Sequence, residues 1–348
     1  WRKGLFPNNS FGDSKTLDFL IYSGKLNLSY RFSGAHSLEA GVAFMQNAPK
    51  FVNSFVSPRT RNTTTPGVSA ERIFGADLTY NLNLPYIKAR VSGYYSAMTD
   101  QTKVISFYDD VERSFTNFAM SGIDKRYYGA EAAVSVPIWN GISAVGAVSW
   151  GDYTYTSNPD FIQTIDNSEV VARGDRVNWK GMHVESSPQL AVNVGLDYRG
   201  PRNWFASVNF NYYDNLYLSM NPLYRTSQAT QYYSNIIASE VNKPDMDIAK
   251  IKAAAKGIEE MRAQEKFGGF FTLSASVGKN WYIRRQYMLG FSLEVKNILN
   301  DQDIRTGGYE QMRLRRVRTP EGVKFSRFDS KYFYMLGTNY YLNVYFRF

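Results

Sequence analysis

Residues 331–348 read KYFYMLGTNYYLNVYFRF, and their polarity alternates. Thr338, Tyr340, Leu342, Val344, Phe346 and Phe348 share one parity, while Asn339, Tyr341, Asn343, Tyr345 and Arg347 share the other. Successive strand side chains point to opposite faces, so this period of two predicts a strand with one apolar and one polar side. The stretch is longer than an ordinary soluble strand and ends on an aromatic residue, which suits one wall of a membrane barrel. The same alternation recurs over 16–32, 36–48, 70–84, 86–98, 122–137, 142–156, 183–198, 204–218, 267–279 and 287–299. Residues 204–218 give the clearest case, with Trp204, Ala206, Val208, Phe210 and Tyr212 opposed to Ser207, Asn209, Asn211 and Tyr213.

The pattern gives about eleven antiparallel strands, whose connections alternate between about 2–6 and about 20–45 residues, far above the usual loop median. Outer-membrane barrels have short turns at one end and long loops at the other, and this rhythm follows that rule. The segment 99–121, with YDDVER, reads as a charged loop, while 50–69 reads as a long polar segment and 157–181 and 300–330 as long loops. The longest loop, 219–266, carries a run rich in Ala, Lys and Glu that predicts a helix around 246–264. A complete single-chain bacterial barrel starts and ends on the same side with an even strand count. The odd count predicts that an N-terminal half is missing, with residues 1–15 belonging to a loop. The expected fold class is therefore all-β, a transmembrane antiparallel barrel, with residues 1–348 forming its later part.

Composition does not oppose this. The mean hydropathy is −0.38, and no run approaches the ~18 consecutive apolar residues of a spanning helix, but barrel strands need only every second residue apolar. The aromatic excess, 26 Tyr and 23 Phe, matches strands and the belts where membrane proteins meet water. The absence of Cys excludes disulfides, thiolate metal sites and thiol nucleophiles. The net charge of +9 does not imply nucleic acid, because the basic residues are scattered and the densest cluster, Arg313, Arg315, Arg316 and Arg318, lies between two strands. His36 and His183 lie too far apart in strand order to share a metal, so neither a metal nor a cofactor is expected. No nucleophile turn accompanies a Ser-His-Asp set, Gly268 and Gly269 precede no helix, and Gly307 and Gly308 are loop glycines; an enzyme is not expected.

Residues 295–302, VKNILNDQ, and the later GGYEQMR resemble the near-C-terminal strand and loop of TonB-dependent outer-membrane receptors. Asn297, Ile298, Leu299 and Asn300 stand where that family has an Asn-Leu-Phe/Leu-Asn-like motif, and the Tyr/Asn-rich style is closest to Bacteroidetes receptors. The final strand, with Tyr345, Phe346 and Phe348, looks like the family's C-terminal assembly signal. The resemblance implies the C-terminal half of a plugged barrel of roughly 22 strands. It also implies a nutrient receptor that binds ligand at extracellular loops and imports it by energised plug displacement. Its implied partners are outer-membrane lipid and lipopolysaccharide, the N-terminal barrel half and plug, and the TonB complex acting through the plug. The implied location is the Gram-negative outer membrane, with long loops extracellular and the C-terminus periplasmic. The alternative is a non-transporting barrel that acts as an adhesin or structural partner.

Two groups of residues carry the functional expectations. Asp77, Lys88, Arg90, Glu131, Asp197, Glu294 and Lys296, with Glu39, Lys25 and Arg31, fall on the polar strand faces and would line the lumen, either as simple barrel hydration or to hold and release a plug. Tyr217, Tyr224, Tyr232, Tyr233, Tyr309 and Arg313 lie in the long loops, where they would form either an aromatic and basic rim for a ring-bearing nutrient or an interfacial belt. The helix at 246–264 would serve as a lid, as a docking surface for a surface lipoprotein, or as a solvated excursion.

Overall fold

A computed structural model of the protein describes residues 2–4, 12–57, 62–110, 113–165, 175–185, 187–284 and 286–348. Parts of the loops expected over 1–15, 50–69 and 157–181 lie outside the described residues. In chain order the strands are β1 Ser23–Arg31, β2 His36–Asn47, β3 Glu71–Leu84, β4 Ile87–Asp109, β5 Ser114–Trp139, β6 Ile142–Tyr155, β7 Asp160–Ile165, β8 Asp175–Arg176 and β9 Leu190–Arg199. They continue with β10 Trp204–Asp214, β11 Phe270–Ile283, β12 Tyr287–Lys296, β13 Arg305–Tyr309, β14 Arg315–Thr319, β15 Gly322–Ser326, β16 Lys331–Tyr334 and β17 Asn339–Arg347. The helices are α1 Phe51–Ser54, α2 Ser227–Val241 and α3 Ile248–Arg262. None is long and apolar enough to cross a membrane.

One sheet runs β1-β2-β3-β4-β5-β6-β9-β10-β11-β12-β17, each strand antiparallel to its neighbours, with β7 and β8 beside it. Its end strands β1 and β17 do not pair with each other, so the sheet is not closed. Register keeps the two faces distinct across the whole width. Tyr30, Leu38, Tyr80, Val91, Ala132, Val148, Val192, Tyr212 and Phe271 stand in one cross-strand row. On the opposite face Ser29, Glu39, Thr79, Ser92, Glu131 and Ser149 form another.

The apolar face is bare: Leu28, Leu78, Val194 and Val208 are 64%, 52%, 57% and 47% exposed. A sheet of this width with bare aliphatic rows fits hydrocarbon rather than water. The band has edges. At the long-loop end the same face turns charged at Arg72, Arg126, Asp152 and Asp214. At the short-turn end it turns aromatic at Tyr198, Trp204, Trp281, Phe291 and Phe346. There the ammonium of Lys279 sits 4.7 Å from the Trp204 ring and 5.2 Å from Trp281, a long apolar stem with its charge held at an interface. From Trp204 to Tyr212 is roughly 27 Å of strand, which at barrel tilt spans about 20 Å, most of a ~25 Å apolar band.

The polar face is hydrogen-bonded sideways. Thr79 Oγ1 and Ser92 Oγ are 2.9 Å apart, Asn193 Nδ2 donates to Asn211 Oδ1 at 2.7 Å, and Ser207 and Ser276 hydroxyls meet at 2.8 Å. Tyr94 and Tyr153 join hydroxyls at 2.6 Å across β5, over Gly129. A Cβ there would lie 2.3 Å from the Trp150 carbonyl and 2.6 Å from the Tyr94 hydroxyl, so the bridge requires glycine.

The hydrophobic core lies beyond the wall, in the long loops. Phe107, Phe118, Met120, Tyr155, Phe161, Val177, Trp179, Leu223, Tyr224, Met261, Leu314 and Phe325 pack into one buried cluster. Four segments far apart in sequence thus form a single cap at one end of the sheet.

Several expected boundaries move. The segment 99–121, expected as a charged loop, is mostly strand: β4 and β5 continue together to a tip near Asp109 and Ser114. Irregular register between Met98, Gln101 and Lys103, with Asp100 at φ +62°, shifts the parity there, so alternation breaks although pairing continues. The loop 157–181 contains β7, which pairs with the upper part of β5. The strand expected over 16–32 begins only at Ser23, that over 183–198 at Leu190, and that over 204–218 ends at Asp214. The helix expected over 246–264 is α3, capped by the Asp247 carboxylate, which accepts from the Lys250 N–H at 3.0 Å. Helix α2 was not legible, because its Tyr, Ile and Asn residues are poor helix formers and its stability comes from packing.

The last stretch is two strands, not one. β16 pairs with β13 in the cap, residues 335–338 break the run, and β17 joins the wall. The Asn-Ile-Leu-Asn segment explains the break. Asn297, at φ +49° and buried, donates from its amide to the carbonyls of Asp301 and Leu336, each at 2.9 Å. Thr338 returns a bond to the Asn297 carbonyl at 2.9 Å, and its N–H meets Asn300 Oδ1 at 3.0 Å. Tyr345 faces the polar side, bonded to Asn280 Oδ1, while Phe346 stacks on Tyr287 at 5.8 Å.

The two faces predict opposite outcomes for adjacent positions. Val208→Arg places a charge mid-band and is expected to cost about 2–4 kcal/mol, whereas Asn209→Arg on the polar face costs little. Folding titrations in lipid vesicles check this; equal losses would refute the assignment of faces.

Candidate functional site

The cap is organised around a buried ion network. The Arg225 side chain is 0% exposed and that of Glu310 1%. Arg225 Nη2 donates to Glu310 Oε1 at 2.9 Å, Nη1 reaches the second oxygen, and Arg327 shares the first. The remaining donors of Arg225 go to backbone: Nε to the Arg262 carbonyl at 3.0 Å, Nη2 to Ala263 at 2.7 Å and Nη1 to Asn221 at 3.1 Å. Arg262 and Ala263 end α3, where carbonyls lack helical partners and the helix dipole favours a cation. The Asn221 N–H donates to Glu310 at 2.7 Å and its amide to the Gln311 carbonyl at 2.7 Å. One guanidinium therefore joins the α2–α3 insertion to the loop before β14.

Beneath the cap, on the polar side of the sheet, is a cavity of about 540 Å³. Its walls include Glu71 from β3, Asp100, Gln101, Thr102 and Lys103 from β4, Lys125 from β5, Tyr155 from β6, and Trp179 and Glu185 from the loop after β8. Tyr155 and Trp179 pack with ring centres 4.7 Å apart, and Lys125 Nζ lies 5.3 Å from the Tyr155 ring. Tyr155 donates to Glu185 Oε2 at 3.0 Å, the Gln101 amide donates to Glu71, and Asp100 takes the Arg72 Nε–H at 2.8 Å. Lys125 stands above the apolar band, next to outward-facing Arg126. Burial lowers its pKa below that of an ordinary lysine, against the pull of Glu185. The Trp179 indole N–H and the Thr102 hydroxyl are buried without a hydrogen-bond partner among the described residues. A shallower groove of about 420 Å³ lies further along the polar face, lined by Arg90, Glu131, Asn193, Asn211 and Tyr213.

A family model described as TonB dependent receptor-like, beta-barrel matches residues 4–298. The chain belongs to that family. Among solved structures it is similar to the copper transporter OprC, at 14% identity and a TM-score of 0.53, over 93% of this chain and 39% of that one. The siderophore receptor PiuA from Acinetobacter baumannii gives 9% identity and a TM-score of 0.51, over 96% and 36%. These likenesses show the fold, and the chain spans less than half the length of either structure. No curated protein matches the sequence. The family is one of outer-membrane receptors and transporters.

On this TonB-dependent receptor-like barrel, the residues expected at the lumen all fall on the polar face. Asp77 pairs across from Tyr94, Lys88 from Ser135, Arg90 from Asn81, Glu131 from Ser149 and Asp197 from Ser207. Glu294 lies opposite Ser276, with Lys296 Nζ 3.5 Å from its carboxylate. The expected rim is not gathered in one place. Tyr224 is fully buried, donating to the Gln311 carbonyl at 3.1 Å, so it is core rather than rim. Tyr233 packs against Gly257, where a Cβ would lie 2.2 Å from its ring, and so sets the α2–α3 approach. Arg313 forks onto Asp110 at 2.8 and 2.9 Å, holding that carboxyl below the usual range and tying the β4–β5 tip to the cap. Tyr217 stacks on His183 at 4.1 Å, Tyr232 reaches Glu321 at 3.4 Å, and Tyr309 stays half exposed near Phe333. Sequence reading missed Thr102, Lys125, Tyr155 and Trp179, whose only local signal was a tryptophan in a polar loop.

Glu310→Gln would leave Arg225 and Arg327 facing a neutral group, and loss of a buried counter-charge is expected to cost about 3–5 kcal/mol. Hydrogen exchange should accelerate in α2 and α3 while β9–β12 stay protected. Unchanged protection of both helices would show that the network does not hold the cap.

Proposed function

We propose that the chain is the C-terminal half of the barrel of an outer-membrane nutrient receptor, of Bacteroidetes type, that captures ligand under its folded long loops. Import would follow by TonB-energised displacement of a plug that the rest of the protein supplies. The observation that carries this reading is the cap: four long segments pack into one body over a polar wall, with a lined cavity between. Such a body at one end of the sheet, with short turns at the other, supports long loops outside the cell and the C-terminus in the periplasm. The mixed charges of Asp77, Lys88, Arg90, Glu131, Asp197, Glu294 and Lys296 suit a polar plug surface. Tyr217, Tyr232 and Tyr309 remain candidate ligand contacts at the cap's margin. The exposed α2–α3 hairpin would take a surface lipoprotein, and the outward charges beyond the aliphatic band suit lipopolysaccharide.

Uptake measured in cells tests this. Accumulation of the nutrient should fall to background when either this gene or TonB is removed, while surface binding survives loss of TonB. Uptake that persists without TonB would overturn energised import, and surface binding with no uptake in any strain would favour an adhesin or structural barrel.

A further inference from the structure

We infer that the outer edge of β14 is a docking site for an extended acidic segment of a partner protein, which adds to the β14–β15 hairpin as a third strand. The inference depends neither on the reading of the cavity nor on transport, and it follows from which basic groups of the cap already have partners. Residues 313–328 carry six basic side chains and one carboxylate, Glu321. Three of the six are engaged. Arg313 forks onto Asp110, Arg327 shares Glu310 with Arg225, and Lys324 Nζ sits 5.3 Å from the Tyr233 ring. Glu321 is turned to the Tyr232 hydroxyl at 3.4 Å. Arg315, Arg316 and Arg318 are exposed, with neither an ion pair nor a side-chain hydrogen bond among the described residues; Arg315 meets only the Phe328 ring, at 4.9 Å.

The backbone of the same strand is open on one side. β14 pairs only with β15, and no backbone group of Arg315–Thr319 bonds to any other segment among the described residues. An antiparallel strand turns about half of its N–H and C=O groups to each side, so those that face away from β15 are free to take a further strand. The hairpin is held in place for it. Leu314 and Phe325 are buried in the core of the cap, and β15 packs against α2, which leaves β14 outermost. Charge then selects the partner. Like charges deter pairing between two copies of this edge, while opposite charges directly across a strand pair favour it. Arg316 and Arg318 share one face about 7 Å apart, with Arg315 and Val317 on the other. An antiparallel segment reading Glu-Val-Glu-Glu would set carboxylates opposite Arg318, Arg316 and Arg315, and its valine opposite Val317. A polyanionic glycan would use the charges and leave the strand edge unpaired, so the open edge favours a polypeptide.

The test is equilibrium binding of a labelled peptide, Thr-Glu-Val-Glu-Glu-Thr, to the intact protein in detergent, read by fluorescence anisotropy. Alternate N–H groups of a strand point to the same side, so two further peptides are N-methylated, one at the odd and one at the even positions. The unmodified peptide is expected to bind, one methylated peptide to bind about tenfold or more weakly, and the other to bind as before. The double substitution of Arg316→Gln and Arg318→Gln should weaken binding about tenfold and flatten its dependence on salt. Both side chains are exposed, so thermal melting of this variant should be unchanged, which shows that it folds. No binding of the unmodified peptide at millimolar concentration, or affinity that survives the double substitution, overturns the inference. Equal affinity of the two methylated peptides, or displacement of the peptide by oligogalacturonate at equal carboxylate concentration, also overturns it, since either result would make the edge a surface for charge alone. Because binding is measured without TonB or a membrane potential, the result is independent of whether the protein transports.

Discussion

A peptide group in hydrocarbon has no water to bond with, and that constraint shapes the whole wall. Every strand inside the band must give its N–H and C=O groups to two neighbours, which leaves the sheet as the only arrangement once the helix is excluded by the alternating sequence. The eleven wall strands meet this demand between themselves and fail it only at the outer edges of β1 and β17. Two rows of unpaired backbone cannot face lipid. The bare aliphatic rows and the hydroxyl and amide ladder on the reverse follow from the same geometry, because a strand that satisfies its backbone laterally has both faces free for different media.

Above the band the chemistry changes from lateral bonding to ordinary burial. There the loops have water on one side and one another on the other, and they condense around aromatic and aliphatic groups as a small soluble domain would. Arg225 is a charged group inside that core. Its five N–H groups are spent on one carboxylate and three backbone carbonyls, so the cost of burying it is offset by closing a helix end and a loop at once. The same residue specifies geometry as well as stability, since a lysine could not fork in this way.

Sequence alone disclosed the wall well, because membrane strands must alternate for ~10 residues and few other structures do. It disclosed the cap poorly. The extensions of β4 and β5 slip register at Asp100, so their pairing carries no periodic signature. Helix α2 depends on Tyr233 seating against Gly257, a contact between residues that no local rule brings together. Tyr224 looked like a binding residue because loop tyrosines usually are, yet burial turned it into core. Lys125 and Trp179 were invisible for the same reason: each is unremarkable in its own segment, and only the fold brings both to the wall of one cavity.

The wall and the cap also differ in how far along the chain their contacts reach. Neighbouring strands of the sheet are mostly consecutive, so their hairpins can form one after another at little loop-closure cost. The contacts of the cap span much longer intervals: Arg225 meets Glu310 across 85 positions, and Arg313 meets Asp110 across 203. Such contacts carry a larger loop-closure cost until both ends of the chain are held in the sheet. On that ground the cap is expected to close last, after a stage in which a finished wall carries open loops. Time-resolved hydrogen exchange would register this as strand protection that precedes protection of α2 and α3.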